Sequence, residues 1–96
     1  MKRTITLEDD YAVYGNRKIG YLVSNIRLCF GLKNNRKYKI IIVEGTEFSI
    51  CKDSRDYTIW DKNQYLGMIC RKKFEKLFFT FDVNKKYDII VEEIEE

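Results

Sequence analysis

Histidine and proline are absent from the 96 residues, glycine occurs five times and tryptophan once. Without histidine the chain lacks the commonest general base and the commonest zinc ligand, and Cys29, Cys51 and Cys70 form no C-x-x-C pair that could hold zinc alone. The few glycines make no phosphate-cradling loop, and no Ser or Cys stands in a nucleophile motif. The acids that could pair for catalysis or hold magnesium, Glu8-Asp9-Asp10 and Asp53 with Asp56, lie between strand-like runs and read as turns. No cofactor, no metal and no enzymatic activity are therefore expected. No uncharged apolar run exceeds four residues, as in Ile40–Val43, against the ~20 needed to span a bilayer, and Met1-Lys2-Arg3 leads into no apolar signal stretch. A soluble, cytoplasmic protein with no membrane partner is expected. Each cysteine has apolar neighbours, which predicts small buried hydrophobes in a reducing compartment.

What is present is charge above the usual quarter, 34%, over a normal apolar fraction of 45%, so a core lies beneath a very polar surface and disorder is excluded. The length allows one domain, residues 1–96. The net charge of +3 hides an asymmetry: with Glu92, Glu93, Glu95 and Glu96 set aside, residues 1–91 carry +7. A basic body fits a nucleic-acid partner.

Self-comparison finds an internal repeat, about 4–52 and about 57–94. A shift of 49 pairs Leu28, Phe30, Asn35, Lys37, Tyr38, Ile40, Ile41 and Glu44 with identical residues, eight in seventeen positions where chance gives about one. At a shift of 47, Asn16, Ile19 and Gly20 meet Asn63, Leu66 and Gly67, which places two extra residues of the second copy between the blocks. Copy one reads as β-β-α-β-β. A hairpin runs from Thr4 through Tyr14, turns at Gly15-Asn16 and returns over Lys18–Val23. A short helix follows, capped by Ser24 or Asn25, with Ile26 and Phe30 inward, Arg27 outward and Gly31 closing it. Tyr38–Val43 and Glu47–Cys51 then form a second hairpin through Glu44-Gly45-Thr46. Copy two repeats strands at Tyr57–Trp60 and Tyr65–Cys70, a helix over Arg71–Phe78 striped by Phe74, Leu77 and Phe78, and a strand at Tyr87–Ile94, but lacks the last strand. The fold class is mainly β with two short helices (α+β).

This order resembles the AbrB/MazE family of swapped-hairpin regulators and antitoxins over Arg17–Lys52. Asn16-Arg17-Lys18-Ile19 stands at that family's Gly-Arg start, Ile26-Arg27 at its helix, Phe30-Gly31-Leu32 at its Leu-Gly-Leu, and Tyr38–Lys52 at its final hairpin. In copy two Leu77, Phe81, Asn84–Lys86 and Tyr87–Glu93 match. The chain departs in having no proline and in placing Asn34-Asn35 where Gly-Asp stands. The resemblance implies a swapped-hairpin, cradle-loop, barrel-like pseudo-dimer, as a monomer or a homodimer. It also implies DNA-binding transcription regulation, with Arg17 and Arg27 at contact positions, or an antitoxin role against a toxin or other enzyme.

The basic residues recur in both copies: Arg17 and Lys18 beside Lys62, Arg27 beside Lys76, and Arg36-Lys37 beside Lys85-Lys86, with Arg71-Lys72-Lys73 additional. Such cations neutralise phosphates along double-stranded DNA, and Arg can read guanine edges. The expected DNA-binding set is Arg17, Lys18, Arg27, Lys62, Arg71, Lys72, Lys73 and Lys76, as a duplicated patch. Among the aromatics, Phe30, Phe48, Phe74, Phe78 and Phe81 fall at core positions, while Tyr14, Trp60 and Tyr65 near turns could stack on bases.

Overall fold

A computed structural model of the chain describes residues 3–77 and 80–94. The elements follow as β1 (Arg3–Glu8), β2 (Tyr11–Tyr14), β3 (Arg17–Leu22), α1 (Ser24–Phe30), β4 (Tyr38–Gly45), β5 (Phe48–Lys52), β6 (Asp56–Asp61), β7 (Gln64–Cys70), α2 (Arg71–Leu77) and β8 (Lys86–Glu93). The strands close into an antiparallel barrel in the ring order β1-β2-β3-β7-β6-β5-β8-β4. Alternation explains the closure: Ile5 and Leu7 of β1, Ile40 and Ile42 of β4, and Tyr57 and Ile59 of β6 all point inward. Phe48, Phe81 and Tyr87 fill the interior with Tyr57, which lies edge-on to Phe74 and Phe81. Both helices are too short to stand alone in water and are held by Ile26 and Phe74, which insert into that core. No helix among the described residues is long and apolar enough to cross a membrane.

The pairing scheme is unchanged when β1, β2, β3 and β4 are exchanged with β5, β6, β7 and β8. The registers obey the same exchange. Across β4–β8, Tyr38 opposes Glu93 and Glu44 opposes Tyr87, with Ile41 opposite Ile90, so a shift of 49 maps this seam onto itself. Across β3–β7, Gly20 opposes Ile69 and Leu22 opposes Gly67, with Tyr21 opposite Met68, so a shift of 47 does the same. Bulges fall at Ala12/Val13 and at Ile59/Trp60, 47 apart. The Tyr38 hydroxyl accepts from the Lys33 N–H at 2.8 Å, and the Tyr87 hydroxyl accepts from the Asp82 N–H at 2.8 Å. No strand is missing from the second half: β5, expected as the last strand of the first copy, is its first strand and flanks β8 as β1 flanks β4. Gly20 makes the β3–β7 seam possible, because a Cβ there would overlap the Met68 carbonyl oxygen and lie 2.9 Å from the Ile69 Cα.

Several expectations are corrected. The first hairpin arm breaks at Asp9-Asp10, with Asp9 at φ 55°, so β1 and β2 are separate strands. β4 and β5 are not a hairpin: both run antiparallel to β8, which lies between them. The chain crosses β8 at Gly45, where a Cβ would collide with the Asp88 carboxylate, and that carboxylate accepts from the Thr46 and Glu47 N–H groups. Cys29 and Cys51 are exposed and Cys70 is half-buried, because Ile26, Ile50 and Ile69 take the inward positions of the same elements. Neither Ser24 nor Asn25 caps α1; Val23 holds that position without a side-chain hydrogen bond, whereas Gly31 closes the helix at φ 63° as expected. Phe74 is buried but Leu77 is exposed, and Phe78 and Phe79 lie outside the described residues. Finally, the inward residues of the helices, Ile26 and Phe74, are 48 apart, so the two extra residues of the second half are divided between the two sides of that contact.

Candidate nucleic-acid interface

The tip of the β2–β3 hairpin lies against α2, and between them runs a groove of about 690 Å³ lined by Asn16, Arg17, Lys18, Ile19, Lys72, Lys73, Lys76 and Leu77. The turn at Gly15, φ 61°, presents Arg17 and Lys18 at the start of β3, where both side chains are exposed. Lys72, Lys73 and Lys76 fall on the side of α2 opposite buried Phe74. The Lys73 ammonium ties the two walls together by donating to the Lys18 carbonyl at 3.2 Å. Five of the eight expected cations are thus brought to one groove. Among the described residues no carboxylate pairs with any of them, so their charges are not neutralised from within.

The other three lie elsewhere. Arg27 is only 8% exposed; its guanidinium donates to the carbonyls of Lys33, at 2.7 Å, and Asp9, and so ties α1 to the β1–β2 turn. The expected outward Arg27 is corrected accordingly: an arginine that satisfies two loop carbonyls gains charge-assisted hydrogen bonds that offset its burial. Arg71 turns away from the groove to Glu75, at 3.2 Å, and to the Asp53 carbonyl, at 2.6 Å. Lys62 sits in the β6–β7 turn at φ 56°, on the other hairpin. The acids read as turns behave as such: the Asp53 carboxylate accepts from the Arg55 and Asp56 N–H groups at 2.8 and 2.7 Å, which holds its pKa below the usual value, helped by Arg71 and Arg55.

The patch is not duplicated. At the shift of 47, Arg17 and Lys18 correspond to Gln64 and Tyr65. At the 48 that separates Ile26 from Phe74, Lys72, Lys73 and Lys76 correspond to Ser24, Asn25 and Leu28, so Lys76 matches Leu28 and not, as the shift of 49 had it, Arg27. The contact between hairpin and helix does recur, since Asn25 donates to the Tyr65 carbonyl at 2.9 Å as Lys73 does to that of Lys18. The electrostatics are reversed: burial first, then the Asp61 and Glu47 carboxylates, push the Cys29 thiol pKa up, and burial with Asp56 and Asp53 does the same to the Tyr65 hydroxyl. The Arg36-Lys37 and Lys85 loops are neutralised as well, by Glu93, Glu8 and Glu44. The expected platforms Trp60 and Tyr65 pack on each other at 5.3 Å and are half-buried. The third, Tyr14, is exposed, and with it lie the exposed rings of Tyr11 and Tyr21 on β2 and β3; the signal for Tyr11 was the Tyr-Ala-Val-Tyr run, in which a bulge changes the facing. No protein-family model matches the chain, and neither a curated protein nor a solved structure does.

Proposed function

We propose that the chain is a non-enzymatic, DNA-binding regulator that holds one phosphate backbone of a duplex in the groove between the β2–β3 tip and α2. The observation that carries this reading is that the five groove cations are absent from every corresponding position of the other half. The barrel does not need them, so their convergence calls for an anionic partner. Arg17 and Lys18 supply one wall and Lys72, Lys73 and Lys76 the other, with Ile19 and Leu77 as an apolar floor. Lys and Arg at this density release counterions from DNA, which gives binding a strong dependence on salt. The swapped-hairpin, cradle-loop reading of the barrel belongs to the same proposal. It is supported by the way each hairpin leans on the helix of the other half, through the Lys18 and Tyr65 carbonyls.

Anisotropy with a labelled duplex tests the reading. Log K should fall linearly with log salt, with a slope approaching about −4.5 if all five cations reach phosphates, and each of Arg17→Ala and Lys73→Ala should reduce the slope by about 0.9. Absence of duplex binding at low salt overturns it. Recovery of a stoichiometric enzyme partner under those conditions would favour the antitoxin or inhibitor reading instead.

A further inference from the structure

Simple alternation would bury one of Tyr11 and Tyr14, but the bulge at Ala12/Val13 turns both residues between them inward and leaves both tyrosines on the outer face of β2. Tyr21 of β3 lies opposite Tyr11 and is 43% exposed; the two rings meet edge to face with centroids 5.9 Å apart. The Lys18 ammonium stands 3.9 Å over the Tyr11 ring, and the same lysine lines the groove. The aromatic surface therefore begins where the cationic groove ends. From Lys18 to Tyr21 the strand advances about 10 Å.

The other half again serves as an internal control. The positions corresponding to Tyr11, Tyr14 and Tyr21 are Thr58, Asp61 and Met68, so the barrel wall does not require rings there. Exposed rings beside unneutralised cations fit one ligand chemistry well, a flat base next to its phosphate. A duplex keeps its bases stacked inside, so these rings can be used only by a strand that is unpaired.

We propose that Tyr21, with Tyr11 as its side wall, stacks a base of an unpaired strand that runs on from the backbone held in the groove, so that the preferred DNA is a duplex bearing a single-stranded tail. The proposal rests on the groove reading, and its test separates the two. Anisotropy is measured at fixed salt with a blunt duplex and with the same duplex carrying a short thymidine tail. The tail should raise affinity at least about five-fold, a gain that Tyr21→Ala erases while leaving the affinity for the blunt duplex unchanged. Tyr21→Phe should restore the gain, because stacking needs the ring and not the hydroxyl. The position is exposed, so both variants keep the barrel, which circular dichroism checks. Equal affinity for blunt and tailed duplexes overturns the proposal, as does an equal loss on both in Tyr21→Ala. If the tail gain survives but Arg17→Ala and Lys73→Ala alter neither affinity, the groove reading fails instead. Binding to neither probe overturns both.

Discussion

Arg27 shows how far one residue's role depends on what its charge meets. In the sequence it stands with the other basic residues, yet it is buried and its guanidinium satisfies two loop carbonyls from separate elements. Truncation would leave the Lys33 and Asp9 carbonyls without those donors. Hydrogen bonds to a charged group contribute about 1.5 to 3 kcal/mol each, so Arg27→Ala should cost about 2 to 4 kcal/mol once some rearrangement is allowed. Urea melts measure the loss. Below the denaturation range the same variant should bind duplex as the parent does, while Arg17→Ala should show the opposite pattern, with stability intact and affinity lost. An Arg27→Ala protein that is fully stable and weak in binding would return Arg27 to the interface.

At the scale of elements, equivalent strands should carry equivalent loads. Ile19 and Leu66, 47 apart, are both buried at matching places beside the β3–β7 seam. Each truncation to Ala removes a branched side chain from a closed core and should cost about 2 to 5 kcal/mol, with the two losses similar in urea melts. One silent position would mean that the halves are packed differently despite their common order. These strands and both helices were legible in the sequence because alternation, the Gly15-Asn16 turn and the Gly31 stop are local signals. What local signals do not contain is the partner of a strand. Tyr38–Gly45 and Phe48–Lys52 look like a hairpin because a glycine turn joins them, but β8 inserts between them and the glycine serves a crossing over Asp88. The candidate site was legible to the same degree. Seven of its eight residues are not buried, as surface charges should be, and five share a groove, but which five follows from the packing of α2 against a hairpin more than 50 residues earlier. Cys51 failed for a related reason, since its apolar neighbour Ile50 points to the opposite side of β5, while Cys29 follows Leu28, which is itself exposed on α1.

The whole molecule combines a near-symmetric scaffold with an asymmetric surface. One hairpin–helix contact carries Arg17, Lys18, Lys72, Lys73 and Lys76; the other carries Gln64, Tyr65, Ser24, Asn25 and Leu28, with Asp61 close by and Leu28 77% exposed. If the scaffold shapes the groove and the cations supply its affinity, the cations can be transplanted. The substitutions Ser24→Lys, Asn25→Lys, Leu28→Lys and Gln64→Arg copy four of the five cations, leaving Tyr65 in the place of Lys18, and Asp61→Asn removes a carboxylate that would neutralise them. Ser24, Leu28 and Gln64 are exposed, so these changes should shift stability by no more than about 0.5 kcal/mol each. Asn25 is half-buried, but a lysine there can reach the Tyr65 carbonyl as Lys73 reaches that of Lys18. Calorimetric titration with a short duplex should then move from one site per chain to two, and Arg17→Ala in the transplanted protein should weaken only one of them. A titration that stays at one site would show that the groove owes its affinity to features of α2 and β3 that charge alone does not reproduce.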